Sequence, residues 1–265
     1  KALEHCGQQY RYVADVEVEA DALTARGYKV FIMPQCRAVS DKEADAIRRF
    51  VQGGGLLIAD ILPGILNGHG TRREKSVLAE LFPSPEPGVV NRIGQGKTVL
   101  LGDKLKGYGY AAYLNMQGWG KLQGRHQVLA ELLHKEAGIS PRVTVTHRGR
   151  GAMPPTEIVR FTSGDAEYVG LLREYFMYDF KPYPVTVRFP RKMHLYDLRR
   201  CVYLGQTDST DVDLSYGAQL YAMLPYRVES VQVKGPSAAR PGETSVFAVS
   251  VAAGAGQPGL AVGGS

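Results

Sequence analysis

Residues 28–60 read YKVFIMPQCRAVSDKEADAIRRFVQGGGLLIAD, and the fold of the first half of the chain is decided there. Val30-Phe31-Ile32-Met33 is a short apolar run of strand type, closed by Pro34. Ser40-Asp41-Lys42-Glu43 has the spacing of a capping box, in which the Ser40 hydroxyl and the Glu43 carboxylate each satisfy a backbone amide left orphaned at a helix start. The predicted helix carries Ala44, Ile47, Phe50 and Val51 on one face and stops at Gly53-Gly54-Gly55. Leu56-Leu57-Ile58-Ala59-Asp60 follows at once, with the unbroken apolar character of a strand buried on both faces. Strand, helix, glycine turn and strand make a βαβ unit, so the two strands are predicted to be parallel.

The same alternation continues to about residue 140. The pattern predicts a helix over 71–82, a proline-rich turn at Pro83, Pro85 and Pro87, a strand over 98–101, and a helix over 122–137 that buries Val128, Leu129, Leu132 and Leu133 and ends at Gly138. Before the quoted stretch, residues 12–18 read as a strand and residues 1–10 as the tail of a helix, with the strand expected ahead of that helix missing. Residues 1–140 are thus expected to form a doubly wound α/β domain with a parallel sheet.

Gly94-Gln95-Gly96-Lys97-Thr98 superficially matches the end of a phosphate-binding loop. That motif needs a further glycine where Asn91 stands, and it follows a strand and opens a helix. Here the glycines precede the strand, so they are read as a turn feeding it, with Lys97 at a solvated strand entrance.

From residue 141 the texture changes to short strands with period-two alternation and frequent turns. Residues 157–162 and 167–173 flank Ser163-Gly164-Asp165 as a hairpin, and 185–189, 194–197, 201–204 and 219–223 supply further strands. Residues 141–226 are expected to form an all-β sandwich. Residues 227–265 read as the opening of a further immunoglobulin-like module, with strands at 228–233 and 245–251, that is expected to be incomplete.

The 265 residues carry a formal charge of +6, but the basic side chains are scattered rather than clustered, which argues against a nucleic-acid partner. No apolar run approaches the roughly 20 residues needed to span a bilayer, so no membrane partner is expected. The chain opens on Lys1, which reads as a processed product or a piece of a longer protein, and the compartment stays open between cytoplasmic and secreted. The three cysteines, Cys6, Cys36 and Cys201, lie far apart and have neither zinc-site nor disulfide-framework spacing.

The string from Tyr28 to Asp60 resembles the middle, trimerisation domain of β-galactosidases built as a (β/α)8 barrel, a glutamine-amidotransferase-like α/β domain and a β-sandwich. GQGKTVLLGD (94–103) and KMHLYDLRRCVYLGQTDSTDVDLSYGAQLYAMLPYRV (192–228) fit that order too, so the resemblance covers residues 1–226. It implies a flavodoxin-like sheet of the class I amidotransferase type, a self-associating, trimeric assembly, and a carbohydrate substrate cleaved on a barrel absent from this sequence. It brings no catalytic signature and no cofactor. The function it implies for this segment is assembly and the shaping of a sugar site.

Two alternatives stand beside that reading. A cysteine hydrolase would use Cys36 with His69 and Asp60, all placed at the carboxyl edge of the sheet where α/β folds bind ligands. Against it, Cys36 lacks the glycine-flanked elbow between strand and helix that lowers a thiol pKa. Asp60 reads more readily as a cap for the turn that follows it. A carbohydrate-binding module would use exposed aromatics such as Tyr175, Phe176, Tyr178, Phe180 and Tyr183, although alternating aromatics in a sandwich usually pack its core. The glycine-aromatic loop with Tyr108, Tyr110, Tyr113 and Trp119 is the better contact surface, toward sugar or another subunit. Glu174, Asp179, Asp208 and Asp211 form no acid–base pair, and Asp208, Asp211 and Asp213 lack the glycine and terminal glutamate of a calcium loop. No metal site is therefore expected.

Overall fold

The computed structural model describes residues 1–116, 124–150, 156–173 and 181–254. The chain divides into two compact units, one built on residues 1–141 and the other chiefly on residues from 142 onward.

The first unit opens with three short helices, α1 (Ala2–His5), α2 (Asp15–Glu19) and α3 (Ala22–Ala25). Then come β1 (Val30–Met33), α4 (Asp41–Gln52), β2 (Leu56–Ala59), β3 (Val90–Ile93), β4 (Gly96–Leu100), α5 (Tyr108–Met116) and α6 (Gln127–Ala137). The sheet order is β1-β2-β4-β3, with β1, β2 and β4 parallel and β3 antiparallel to β4. Successive residues of a strand face opposite sides, and both sides are covered. Leu57, Ala59, Met33 and Leu100 meet Val18, Leu23, Ala44, Ile47, Phe50 and Val51 in one core layer. Leu56, Ile58, Val99 and Leu101 meet Cys6, Leu129 and Leu133 in the other. Every residue of β2 is accordingly buried, which is why its sequence is apolar without alternation.

The capping box forms as its spacing dictates. Ser40 Oγ accepts from the Glu43 amide at 3.1 Å and Glu43 Oε2 accepts from the Ser40 amide at 2.6 Å. Ser40 also donates to Glu19 Oε1 at 2.6 Å, so the start of α4 is tied to the end of α2. At the other end of α4 the glycines are required by packing. A Cβ on Gly96 would lie 2.0 Å from the Val51 carbonyl oxygen and 2.4 Å from that of Gly55, and a Cβ on Gly55 would strike the Phe50 ring. The two-residue turn Gly94-Gln95 joins β3 to β4, and the φ of +59° at Gly94 suits a turn whose first central residue must be left-handed.

Several expectations for this unit change. Residues 12–18 are not a strand: α2 buries Val18 and leaves Val16 exposed, a helical division. The segment 71–82 is not a helix. Its amides pair across the loop instead, Arg73 N–H with the Ile65 carbonyl, and only Ala79–Leu81 winds into a short 3-10 turn that still buries Leu78 and Leu81. The strand β3 follows the proline-rich turn, and its order Val-Asn-Arg-Ile lacks the alternation that marks a strand. Val128 is exposed rather than buried. Lys97 is not a solvated entrance: its Nζ donates to the Glu136 carbonyl and pairs with the Glu136 carboxylate, both at 3.0 Å, and so caps the end of α6. Gly138, with φ of +64°, closes that helix as anticipated.

The second unit holds β5 (Thr144–His147), β6 (Thr156–Ser163), β7 (Ala166–Arg173), β8 (Tyr183–Asp197), β9 (Val202–Leu214), β10 (Gln219–Leu224), β11 (Val228–Lys234) and β12 (Ala248–Ala253). The first six form one antiparallel sheet and β11 and β12 a separate two-stranded one. The two segments expected as separate strands at 185–189 and 194–197 are one long β8, and the described strands curl as a single sheet instead of facing each other as two. One edge of β8 is shared, β5 pairing with its first half and β10 with its second, while β9 runs along the other edge. The bend between the halves falls at a register shift between Arg188 and Met193, around Pro190, which cannot donate to the ladder. Tyr183, Val185, Val187, Phe189, Met193 and Leu195 alternate inward along β8 and build the core with Val169, Leu171, Tyr221 and Met223.

A Gly96→Ala substitution should cost about 1–3 kcal/mol or more, the range of an overpacked site whose neighbours are backbone and cannot yield. Urea denaturation of the two proteins measures it; equal midpoints would show that the contact between α4 and β4 carries no strain.

Candidate functional site

Parallel strands present their carboxyl ends together, and here those ends gather Gln35 after β1, Asp60 after β2 and Gly102-Asp103 after β4. A cleft of about 430 Å³ opens at this edge, lined by Gln35, Arg37, Asp60, Asp103, Lys106 and Tyr108 among others. This is where an α/β sheet offers a ligand site.

Asp60 organises the edge. Its Oδ1 accepts from the Gln35 amide at 2.8 Å and the Ile61 amide at 2.9 Å, and its Oδ2 accepts from Gln35 Nε2 at 2.7 Å. Gln35 takes a φ of +53°, left-handed backbone that a side-chain-bearing residue adopts only when its surroundings hold it there. The Asp60 carboxylate grips both the backbone and the side chain of Gln35 and so supplies that hold. Asp60 does reach the turn after it, through Ile61, and also joins the ends of β1 and β2.

Cys36 is half-buried and packs against the core layer of α4. Burial first, then the negative charges of Asp60 and Glu43, push its thiol above the ordinary range. These are the conditions opposite to those that make a nucleophilic thiolate. His69 lies exposed in a loop closed by Asn67, whose Oδ1 accepts from the His69 amide at 3.0 Å and the Thr71 amide at 2.9 Å. The fold thus brings Cys36 and Asp60 to one edge, and among the described residues no hydrogen bond joins the His69 ring to either.

The segment with Tyr108, Tyr110 and Tyr113 is the helix α5, not a loop. Tyr108 is 3 % exposed and faces inward, while Tyr110 and Tyr113 are 68 % and 51 % exposed. One helical turn apart, their rings stack with centroids 6.5 Å apart at 24°. Trp119 lies outside the described residues, as do Glu174, Tyr175, Phe176, Tyr178, Asp179 and Phe180. Tyr183 is buried in the sheet with the Arg173 guanidinium 5.1 Å from its ring centre. Asp208, Asp211 and Asp213 lie along β9, not in a loop; Asp211 accepts from Thr186 Oγ1 at 2.6 Å and pairs with Arg148 at 3.6 Å.

Sequence reasoning did not find a cluster beneath α5. Tyr108 Oη lies 2.6 Å from His5 Nδ1 and 3.2 Å from His126 Nδ1, and the Cys6 thiol donates to the His126 carbonyl at 3.3 Å. Burial pushes the Cys6 thiol up to about 11, and burial together with the neighbouring His5 holds the His126 imidazole below its ordinary value. His5 and His126 are far apart in sequence, and no spacing rule connects them.

The sequence matches no protein-family model and none of the curated proteins. Solved structures share the fold. Gan42B, a GH42 β-galactosidase from G. stearothermophilus, aligns with TM-score 0.55 and 14% identity over 84% of this chain and 35% of its own. The β-galactosidase from Bacillus circulans sp. alkalophilus gives TM-score 0.55 and 14% identity over 84% and 36%. The cold-adapted β-galactosidase from Rahnella sp. R3 gives 0.53 and 15% over 83% and 35%. This chain therefore spans about a third of the length of the enzymes whose fold it shares.

The three cysteines should separate cleanly under a thiol reagent at neutral pH. Exposed Cys201 is expected to label first, Cys36 slowly, and Cys6 only on unfolding. Mass spectrometry of a labelling time course checks the order, and Cys36 reacting ahead of Cys201 would restore the nucleophile reading.

Proposed function

We propose that this chain is a non-catalytic accessory segment of a β-galactosidase-like glycoside hydrolase, serving assembly and helping to shape a carbohydrate site that a barrel domain of the same enzyme supplies. The observation that carries the reading is the alignment of 84% of the chain with a minor part of GH42 β-galactosidases. In this reading residues 1–140 are the oligomerisation domain, flavodoxin-like in the manner of the class I amidotransferases. The sheet order and the helical cover on both faces support that assignment. Residues 141–226 are the β domain that follows, and residues 227–265 begin a further immunoglobulin-like module.

The chemistry of the sheet edge favours this over a cysteine hydrolase. Cys36 is held as a neutral thiol, and Asp60 spends its oxygens on positioning Gln35. Of the aromatics a carbohydrate-binding module would use, Tyr183 is the one among the described residues, and it is buried in the core of the β unit. The exposed Tyr110 and Tyr113 pair is assigned to the subunit contact, because large, rigid aromatics are the usual anchors of interfaces.

Sedimentation velocity on the purified chain tests the assembly role, with a trimer as the expected species. Replacing both Tyr110 and Tyr113 by Ala should weaken association by about 2 kcal/mol, roughly thirtyfold, the loss typical of an aromatic anchor. A chain that stays monomeric at every concentration reached, or a double variant that assembles as well as the parent, would defeat the proposal.

A further inference from the structure

Asn67 stands at the head of a tight hairpin in the loop after β2. Leu66 and Arg72 face each other in an antiparallel bridge, the Asn67 amide donates to the Thr71 carbonyl at 2.8 Å, and the Gly70 amide donates back to the Asn67 carbonyl at 2.9 Å. Gly70, at φ of +80°, supplies the left-handed residue that closes the turn. Gly68, His69 and Gly70 are exposed, and Asn67 is half-buried beside them.

The Asn67 side chain is held by its oxygen alone. Oδ1 accepts from the His69 amide at 3.0 Å and from the Thr71 amide at 2.9 Å. Among the described residues Nδ2 makes no hydrogen bond, and the Gly68 amide donates none. Three requirements of an intramolecular acyl transfer therefore meet here. The Gly68 nitrogen is a nucleophile that no side chain shields, the Asn67 amide carbon is polarised by two donors on its oxygen, and the departing nitrogen is untied. As Cγ becomes tetrahedral, negative charge gathers on Oδ1, where the His69 and Thr71 amides already stand at the distance of an oxyanion hole.

We propose that Asn67 is a site of spontaneous deamidation, promoted by the hairpin that holds it. The Gly68 nitrogen gives its proton to solvent and attacks Asn67 Cγ. A new C–N bond forms, the Cγ–Nδ2 bond breaks, and Nδ2 takes a proton from solvent and leaves as ammonia. The product is a succinimide ring. Water then adds to either ring carbonyl and reopens it, giving aspartate where the original linkage is kept and isoaspartate where the main chain is rerouted through the side chain.

Asn91 shows the opposite arrangement. It is 7 % exposed on β3, its Oδ1 accepts from the Ser84 amide at 2.9 Å, and its Nδ2 donates to the Ser84 carbonyl at 3.2 Å. There the departing nitrogen is held, and the next residue is Arg92, whose side chain crowds the attacking amide.

The two products act differently on the loop. Aspartate keeps both amide donors through charge-assisted bonds, so the turn survives with a negative charge added. Isoaspartate lengthens the main chain inside the turn and pulls apart the Asn67–Thr71 and Asn67–Gly70 backbone bonds. The effect reaches beyond the hairpin, because the Leu66 amide donates to the Arg37 carbonyl at 2.9 Å and the Leu66 carbonyl accepts from the Val39 amide at 3.1 Å. Those bonds steady the connection from β1 to α4.

Incubation of the intact chain in mildly alkaline buffer, followed by tryptic mapping, tests the site. Residues 50–72 form a tryptic peptide whose single asparagine is Asn67, so the mass gained when amide becomes acid reports this position, and chromatography separates aspartyl from isoaspartyl product. Asn67 should convert while Asn91 stays intact. The folded chain should convert Asn67 at least as fast as the chain unfolded in urea, since unfolding removes the two donors on Oδ1. Gly68→Ala should slow the reaction several-fold by shielding the nitrogen; Gly68 is not left-handed, and the added Cβ lies 3.2 Å from that of Ser40. An Asn67 that stays intact in the folded chain, that reacts more slowly folded than unfolded, that reacts no faster than Asn91, or that is not slowed by Gly68→Ala would overturn the proposal. If the variant does not fold, the comparison of folded with unfolded parent decides.

Discussion

The tight meeting of α4 with the start of β4 is the constraint on which the first unit depends. With no side chain on Gly96, the backbone carbonyls of Val51 and Gly55 approach it closely, and the Lys97 amide donates to the Gly55 carbonyl at 3.1 Å. The Gln95 amide likewise donates to the carbonyl of Gln52 at the end of the helix. These contacts fix where β4 begins relative to β2, and hence the parallel register Leu56 with Lys97 through Ala59 with Leu100. Register in turn decides which residues emerge together at the opposite end of the sheet. The glycines that imitate a phosphate loop serve instead to bring backbones together.

At that opposite end the same geometry yields a site that looks catalytic in composition and is structural in its bonding. A cysteine and a carboxylate stand near each other, as many hydrolases require. Burial and negative charge keep the thiol protonated, however, and the carboxylate is satisfied by two amides and a side-chain amide. Asp60 stabilises the left-handed backbone at Gln35 and ties together two strand ends.

The second unit solves the burial problem differently. Its described elements are all strands, so they alternate, and the inward set along β8 forms the core as the sheet curls. The bend near Pro190 and the bulge in β9 at Leu204-Gly205, opposite Leu195 and Tyr196, let one long strand serve neighbours on both halves. On this sheet Glu167 pairs with Arg160 at 2.8 Å and with Arg191 at 3.0 Å.

Local rules were enough to determine the elements whose signals are short-range. The Ser40 and Glu43 cap, the apolar face of α4, the fully buried β2, the stop at Gly138 and the hairpin around Gly164 all follow from residues within a few positions of one another. Tertiary structure decided what depended on partners distant in the chain. It turned residues 71–82 into a paired loop because Arg73 found Ile65 across it, recruited Lys97 to the end of α6, and merged two strands into β8 because flanking strands continued the ladder past the bend. It also assembled His5, Tyr108 and His126, and gave Asp60 its partners. Hydrogen bonds within a helical turn or a hairpin are written in sequence spacing, whereas those that cross the fold exist only once the core has set which backbones lie side by side.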